Sequence, residues 1–324
     1  MSFINNFKQT LFTITSSSFE DKALELFCYQ AQNNPIYKEY LKLLKVNSSS
    51  VKTIEQIPFL PIEFFKYHKV ITGENVYSHI FLSSGTTQQE RSKHYIKDIS
   101  FYLEISEKIF NTFYGDIEGY TLLALLPSYQ ENPQSSLIAM IDFFIKKSNN
   151  PDSGYIKTDF KEIKKLMQKK PVILFGVTYA LLDFAENNTE DVSDLIVIET
   201  GGMKGRREEM LKEQFYDVLR KALGLKNIHA EYGMTELLSQ AYSKGDGIYE
   251  CPPWMKVLTR EINDPFAINN KLNSGGINII DLANADSCAF IETKDIGSCL
   301  PDGRFKIMGR FDNSDVRGCN LLYA

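Results

Sequence analysis

Two stretches of this sequence carry residue types and spacings suited to chemistry on a phosphate. Ser83-Ser84-Gly85-Thr86-Thr87 follows the apolar run His79-Ile80-Phe81-Leu82, which reads as a short buried strand. Glycine lets the backbone take positive φ, so successive N–H groups turn inward, and the Ser and Thr hydroxyls add donors without bulk. Such a loop can wrap a phosphate, although the same five residues also suit an ordinary polar turn. Farther along stands Tyr232-Gly233-Met234-Thr235-Glu236. Here Thr235 offers a hydroxyl donor, Glu236 a hard oxygen ligand for Mg²⁺, and Tyr232 a flat face or a hydroxyl. The competing assignment is a helix start, with Thr235 as the N-cap and Glu236 in the first turn.

The elements that must position these groups follow from apolar periodicity. Residues 21–46 read as helix divided at Pro35, and residues 99–113 as a long amphipathic helix. Residues 57–62 form an extended, proline-punctuated crossing. Strands are expected at 120–126, 172–175, 195–198 and 227–231. Helices are expected at 136–147, 160–169, 179–186 and 206–223. This alternation predicts a mostly parallel sheet covered on both faces by helices. Beyond Gly245 come short strands without helices between them, at 257–262, 276–281, 289–293 and 305–308. They predict a smaller β-rich subdomain, and so a division into residues 1–244 and 245–324.

Open α/β sheets bind ligands at the carboxyl ends of their strands. Four strand exits are rich in glycine and hydroxyls: Ser83 to Thr87, Gly176-Val177-Thr178, Glu199-Thr200-Gly201-Gly202-Met203-Lys204-Gly205, and Tyr232 to Glu236. A structural turn does not require such residues four times over. The exits together predict a nucleotide site along one sheet edge.

Composition narrows the class. With 324 residues the chain is long enough for a sizeable core, and 43% apolar and 24% charged residues are ordinary for a globular protein. A net charge of −5 without a Lys/Arg block argues against a nucleic-acid binder. No apolar run suits a signal peptide or a membrane span. Cys28, Cys251, Cys288, Cys299 and Cys319 are too few and too irregular for a disulfide framework, which predicts a reduced, cytoplasmic setting.

Taken in order, the loop at Ser83, the Tyr232 motif, Thr293-Lys294-Asp295 and Gly309-Arg310-Phe311-Asp312 resemble the motif set of adenylate-forming enzymes, which include acyl-CoA ligases and luciferases. Within that superfamily the sequence most resembles acyl-protein synthetases (LuxE-type), the fatty-acid-activating component of bacterial fatty acid reductases. Phenylacetate–CoA ligases look like more distant cousins. The run from Ile57 to Lys66 and Gly201-Gly202-Met203-Lys204-Gly205 also resemble that branch. The similarity covers nearly the whole chain.

The resemblance implies the large N-terminal domain of such enzymes, with layered sheets. It implies ATP and Mg²⁺, and activation of a carboxylic, fatty-type acid as an acyl-adenylate before transfer to a thiol. Ser83, Ser84, Gly85, Thr86 and Thr87 would hold the phosphates, and Gly201, Gly202 and Met203 would line the adenine pocket. Tyr232 and Gly233 would pack on adenine, while Thr235 and Glu236 reach the α-phosphate and Mg²⁺. Asp295 would bind ribose hydroxyls. Arg310 would bind ribose or phosphate, with Asp312 at a hinge.

The sequence departs from the family pattern in two places. After the loop stands Gln88-Gln89-Glu90-Arg91-Ser92-Lys93 instead of glycine and lysine, leaving Arg91 or Lys93 to cover phosphates. The sequence also stops at Ala324, just past the hinge, without the mobile C-terminal domain and its lysine. Acyl-protein synthetases end near this point and carry an acyl-accepting cysteine close by, which implies Cys319, beside Arg317. Lys204 is the candidate to replace the missing lysine's charge. His94 and His229 are weaker acid–base candidates, and His229 sits in a strand. An acyl-accepting protein or reductase is the implied partner. Coenzyme A or a carrier thiol is the alternative acceptor, and a retired nucleotide-binding subunit of a biosynthetic complex is the non-enzymatic alternative.

Overall fold

A computed structural model describes residues 3–84, 90–126, 132–156, 160–187, 190–201, 210 and 212–311. The chain opens with α1 (Phe3–Thr10), α2 (Phe19–Asn33) and α3 (Pro35–Leu43), then β1 (Leu60–Pro61) and the single turn α4 (Phe64–Tyr67). The hairpin β2 (His79–Leu82) and β3 (Lys93–Ile96) follows, then α5 (Ile99–Tyr114). The alternating region comprises β4 (Thr121–Leu125), α6 (Ser136–Lys147), β5 (Gly154–Tyr155), α7 (Phe160–Met167), β6 (Val172–Gly176), α8 (Thr178–Glu186), β7 (Ile196–Glu199), α9 (Lys212–Leu223) and β8 (His229–Tyr232). The remaining strands are β9 (Ala241–Ser243), β10 (Ile248–Tyr249), β11 (Met255–Arg260), β12 (Gly275–Asp281), β13 (Phe290–Cys299) and β14 (Phe305–Arg310).

The first large sheet has the order β5-β4-β6-β7-β8-β9, parallel throughout except for β9. Every residue of β4 and β6 is buried, as continuous apolar runs require of strands covered on both faces. The two-residue side-chain period divides them between two cores. Leu122, Ala124, Ile173 and Phe175 face α5 and α6 through Phe110 and Phe144. Leu123, Leu125, Val172 and Leu174 face α7, α8 and α9 through Ile163, Phe184 and Leu219. The second large sheet is antiparallel in the order β10-β14-β13-β12-β11, and β1 adds to β13 in parallel. Among the described residues, no helix is long and apolar enough to cross a membrane.

The helices expected within residues 21–46, 99–113, 136–147, 160–169 and 179–186 and the parallel strands β4, β6, β7 and β8 stand where the sequence placed them, within about three residues; the parallel strand β5 was not anticipated, and the start expected for α9 at Arg206 lies outside the described residues. The hairpin partner β3 was not anticipated, because Lys93-His94-Tyr95-Ile96 lacks the apolar run that announces a buried strand. Its register with β2 nevertheless decides how the Ser83 exit is held.

The N-terminal helices are locked onto the second sheet by buried amides. Gln30 donates to the carbonyls of Asn284, Ala285 and Ser287 and accepts from Ala289 N–H. Asn34 caps α3, its Oδ1 accepting from Ile36 N–H at 3.1 Å and Tyr37 N–H at 3.0 Å, while its Nδ2 donates to Ser287 O at 2.9 Å. Pro35 fits the first helical position, where no N–H partner is required. Asn34→Ala is expected to lower the unfolding free energy by about 2–3 kcal/mol, as a lost cap plus an orphaned buried carbonyl. An unchanged urea midpoint would show that the cap contributes nothing.

Candidate active site

The strand exits converge on one cavity of about 960 Å³. Ser83 and Ser84 line it from β2, Val177 from β6, Thr200 and Gly201 from β7, and Tyr232 to Glu236 from β8. Asp295 and Arg310, on the paired strands β13 and β14 of the other sheet, line it as well. Gly85, Thr86, Thr87, Gly202, Met203, Lys204, Asp312 and Cys319 lie outside the described residues.

Each exit is held by its neighbours. Ser83 N–H donates to Ser92 O at 3.0 Å, and Ser83 Oγ accepts from Ser92 N–H at 2.9 Å. Arg91 lines the cavity while its Nε donates to the Ser83 carbonyl. Lys93 instead lies within β3, opposite Leu82. The β6 and β7 exits are laced together, with Thr200 N–H donating to Gly176 O at 3.0 Å and Thr178 N–H to Gly201 O at 3.2 Å. Gly201 has a φ of +78°, a left-handed conformation that glycine adopts without strain. Buried Glu199 shapes that turn, its Oε1 accepting from Gly201 N–H at 2.8 Å and Thr178 Oγ1 at 2.7 Å. The sequence showed Glu199 only as a strand end; its role depends on two neighbours brought in by the sheet.

The Tyr232 motif does not start a helix. Thr235 and Glu236 occupy a turn, which removes the N-cap alternative. His94 explains part of the turn's shape: its Nδ1–H donates to the Thr235 carbonyl at 2.8 Å. Burial pushes this imidazole down to about 4, so it is neutral at ordinary pH. It is a positioning residue behind the cavity wall rather than an acid–base group. His229, pushed down to about 4 by burial with Lys244 adding to the effect, meets the Tyr114 hydroxyl at 3.2 Å and does not line the cavity.

Asp281 anchors the next residues, its carboxylate accepting from Leu238 N–H, Ser239 N–H, Ser239 Oγ and Ala283 N–H. Asn284 Nδ2 holds the Glu236 carbonyl at 2.8 Å. Neither partner was legible beforehand, because both lie more than forty residues from the turn in sequence.

Tyr232 donates from its hydroxyl to Asp295 Oδ2 at 2.6 Å, and its ring packs against Tyr249 and Phe305. Asp295 Oδ1 has Arg310 Nε at 3.9 Å, beyond hydrogen-bond range, so it keeps acceptor capacity toward the cavity. Burial raises the Asp295 carboxyl, while Tyr232 and Arg310 oppose the shift. Glu236, only 4% exposed, is likewise raised by burial, against a Ser92 hydrogen bond and the Arg310 charge.

These residues fit an adenine nucleotide: hydroxyl donors, a left-handed glycine turn, an aromatic ring, an acceptor carboxylate and a guanidinium share one cavity. Among the described residues no group of three or more His, Cys, Asp or Glu could hold a metal ion.

Glu231, half-buried in the cavity wall, is pushed up to about 8 by burial, with the Glu199 charge adding to the effect. Between the ordinary glutamate range near 4.5 and about 8, the folded chain holds a proton that the unfolded chain has released. Stability from this group is present in acid and is lost as pH rises through that window. The thermal midpoint is expected to fall across it and to fall less steeply in Glu231→Gln. Identical pH slopes in the two proteins would contradict the assignment.

No family model and no curated protein matches the sequence. Solved structures do match. A 2-hydroxyisobutyryl-CoA ligase in complex with 2-HIB-AMP and CoA aligns over 94% of this chain and 71% of its own, at 12% identity and a TM-score of 0.64. ATP-bound MatB from Rhodopseudomonas palustris aligns over 71% of this chain and 47% of its own, at 15% identity and a TM-score of 0.52. This chain thus spans about half the length of MatB. At these identities the likeness is one of fold: an α/β fold shared with these two proteins.

Proposed function

We propose that this protein activates a carboxylic acid of the fatty type with ATP, forming an acyl-adenylate and pyrophosphate, and passes the acyl group to a thiol. The observation that supports this most is the convergence of four strand exits with Asp295 and Arg310 on one cavity. In the first step a carboxylate oxygen attacks the α-phosphorus and pyrophosphate leaves. Two anions must meet, so the protein's contribution is positioning and charge neutralisation.

In this reading Ser83, Ser84 and the loop through Gly85, Thr86 and Thr87 orient the phosphates. Gly201, Gly202 and Met203 border adenine, and Gly233 and the Tyr232 ring flank it. Asp295 accepts from the ribose hydroxyls through its available oxygen. Arg310 supplies positive charge, and Lys204 adds to it. Thr235 donates to the α-phosphate, and Glu236 would hold Mg²⁺, whose chemistry is neutralisation of the phosphate oxygens.

The second step transfers the acyl group to the Cys319 thiolate, releasing AMP, in the manner of acyl-protein synthetases. A protein reductase or acyl acceptor would then take it. Coenzyme A is the second acceptor to weigh, favoured by the shared fold with a ligase that binds CoA. The domain reading that accompanies this proposal keeps residues 1–244 as the α/β core and residues 245–324 as the β-rich part.

ATP–pyrophosphate exchange that depends on an added carboxylic acid tests the activation step. Exchange is expected, with Glu236→Gln lowering its rate by roughly a hundredfold. No exchange with any acid would leave a nucleotide-binding subunit instead. For the acceptor, intact-protein mass spectrometry after incubation with ATP and acid is expected to show one acyl adduct, lost in Cys319→Ser while exchange persists. Acyl-CoA formation without self-labelling would select coenzyme A and retire Cys319.

A further inference from the structure

The nucleotide reading uses the hydroxyls, the Gly201 turn and the charged groups of the cavity and leaves part of its lining unexplained. That part comprises Tyr102 from α5, Leu137, Ile138 and Met140 from α6, and Val177, an apolar surface suited to an alkyl chain. Two polar groups interrupt it. Glu231 lines the cavity from β8, near enough to Tyr102, Tyr114 and Tyr242 to perturb their phenols. Among the described residues no donor and no Lys or Arg pairs with its carboxyl.

Gln240, only 4% exposed, is the second. Its Nε2 donates to the Leu238 carbonyl at 3.1 Å, which orients the amide and leaves Oε1 without a partner. The two lie side by side, since a Cβ on Gly233 would meet both the Glu231 carboxyl and the Gln240 side chain. The hydroxyl of Tyr242, paired in register with Glu231, is also buried without a partner.

An unpartnered buried acceptor costs about 1–3 kcal/mol, and native interiors keep few of them. Adjacent acceptors in the lining of a ligand cavity are explained when the ligand brings the donor. Resting on the activation reading above, we propose that the acid bound here carries a hydrogen-bond donor, a hydroxyl or an ammonium group, on its alkyl chain, held by Glu231 and Gln240. Glu231 is then a specificity-determining residue, and a plain hydrocarbon chain of the same length leaves both acceptors desolvated and empty. A site built to hydrogen-bond a substrate group rejects the analogue that lacks it far more strongly than a size filter does.

The test is pyrophosphate exchange with hexanoic, octanoic and decanoic acids, each beside its hydroxy- and amino-substituted counterparts. Wild-type kcat/KM is expected to favour a substituted acid over its plain counterpart by at least about tenfold. Glu231→Leu is expected to bring that ratio to about one or below, with an unchanged or higher thermal midpoint because an unpartnered carboxyl has been removed. Glu231→Gln, which keeps a carbonyl acceptor, is expected to retain the preference for a hydroxy acid and lose that for an amino acid. Equal or better use of plain acids by the wild type, or a ratio unchanged in Glu231→Leu, overturns this inference and leaves activation standing. Exchange with none of the acids overturns the activation reading and this inference with it.

Discussion

The site depends on one buried carboxylate. Asp281, at the end of β12 and fully buried, accepts hydrogen bonds from two backbone N–H groups and one hydroxyl of the segment leading into β9, and from Ala283 N–H. It therefore ties the turn of the parallel sheet to a strand of the antiparallel one. Burial raises this carboxyl, and the hydrogen bonds oppose that shift. Trp254 extends the tether by donating from its indole to Ser239 Oγ at 3.0 Å. His94 and Asn284 grip the Thr235 and Glu236 carbonyls from two further elements. A loop between two sheets would otherwise sample many conformations; here its polar backbone groups are assigned partners, and Tyr232 is left facing Asp295.

The lining of the cavity is of two chemical kinds. It combines hydroxyls, the Gly201 turn and the guanidinium of Arg310 with the apolar side chains of Leu137 and Met140 and the ring of Tyr102. Buried Glu236 and part-buried Asp295 are both carboxyls raised above their ordinary range by desolvation, with Arg310 opposing each shift. Burial of that kind disfavours a bare carboxylate and favours one that gains a cation or a donor.

Much of this was readable in the amino-acid order. Apolar runs such as Val172 to Phe175 announced buried parallel strands, and glycines and hydroxyls at their exits marked the edge where a ligand binds. The positioning residues were not readable, for a physical reason. Glu199, Asp281 and His94 act through partners supplied by other strands, and a single carboxyl or imidazole in a strand carries no local pattern. Thr235 and Glu236 had the signature of a helix start, but the tethers to His94, Asn284 and Asp281 hold them in a turn. Glu231 was read only as part of a strand, since its lack of a partner becomes visible when Gly233 and Gln240 are packed beside it.

In the proposed function an adenine nucleotide occupies the ledge between the two sheets, with its ribose on Asp295. Calorimetric titration of the protein with ATP and Mg²⁺ addresses this directly. Saturable one-to-one binding is expected, weakened at least about tenfold in Asp295→Ala, since a hydrogen bond to a charged group is worth about 1.5–3 kcal/mol. Absence of binding, or an affinity indifferent to Asp295→Ala, would contradict it.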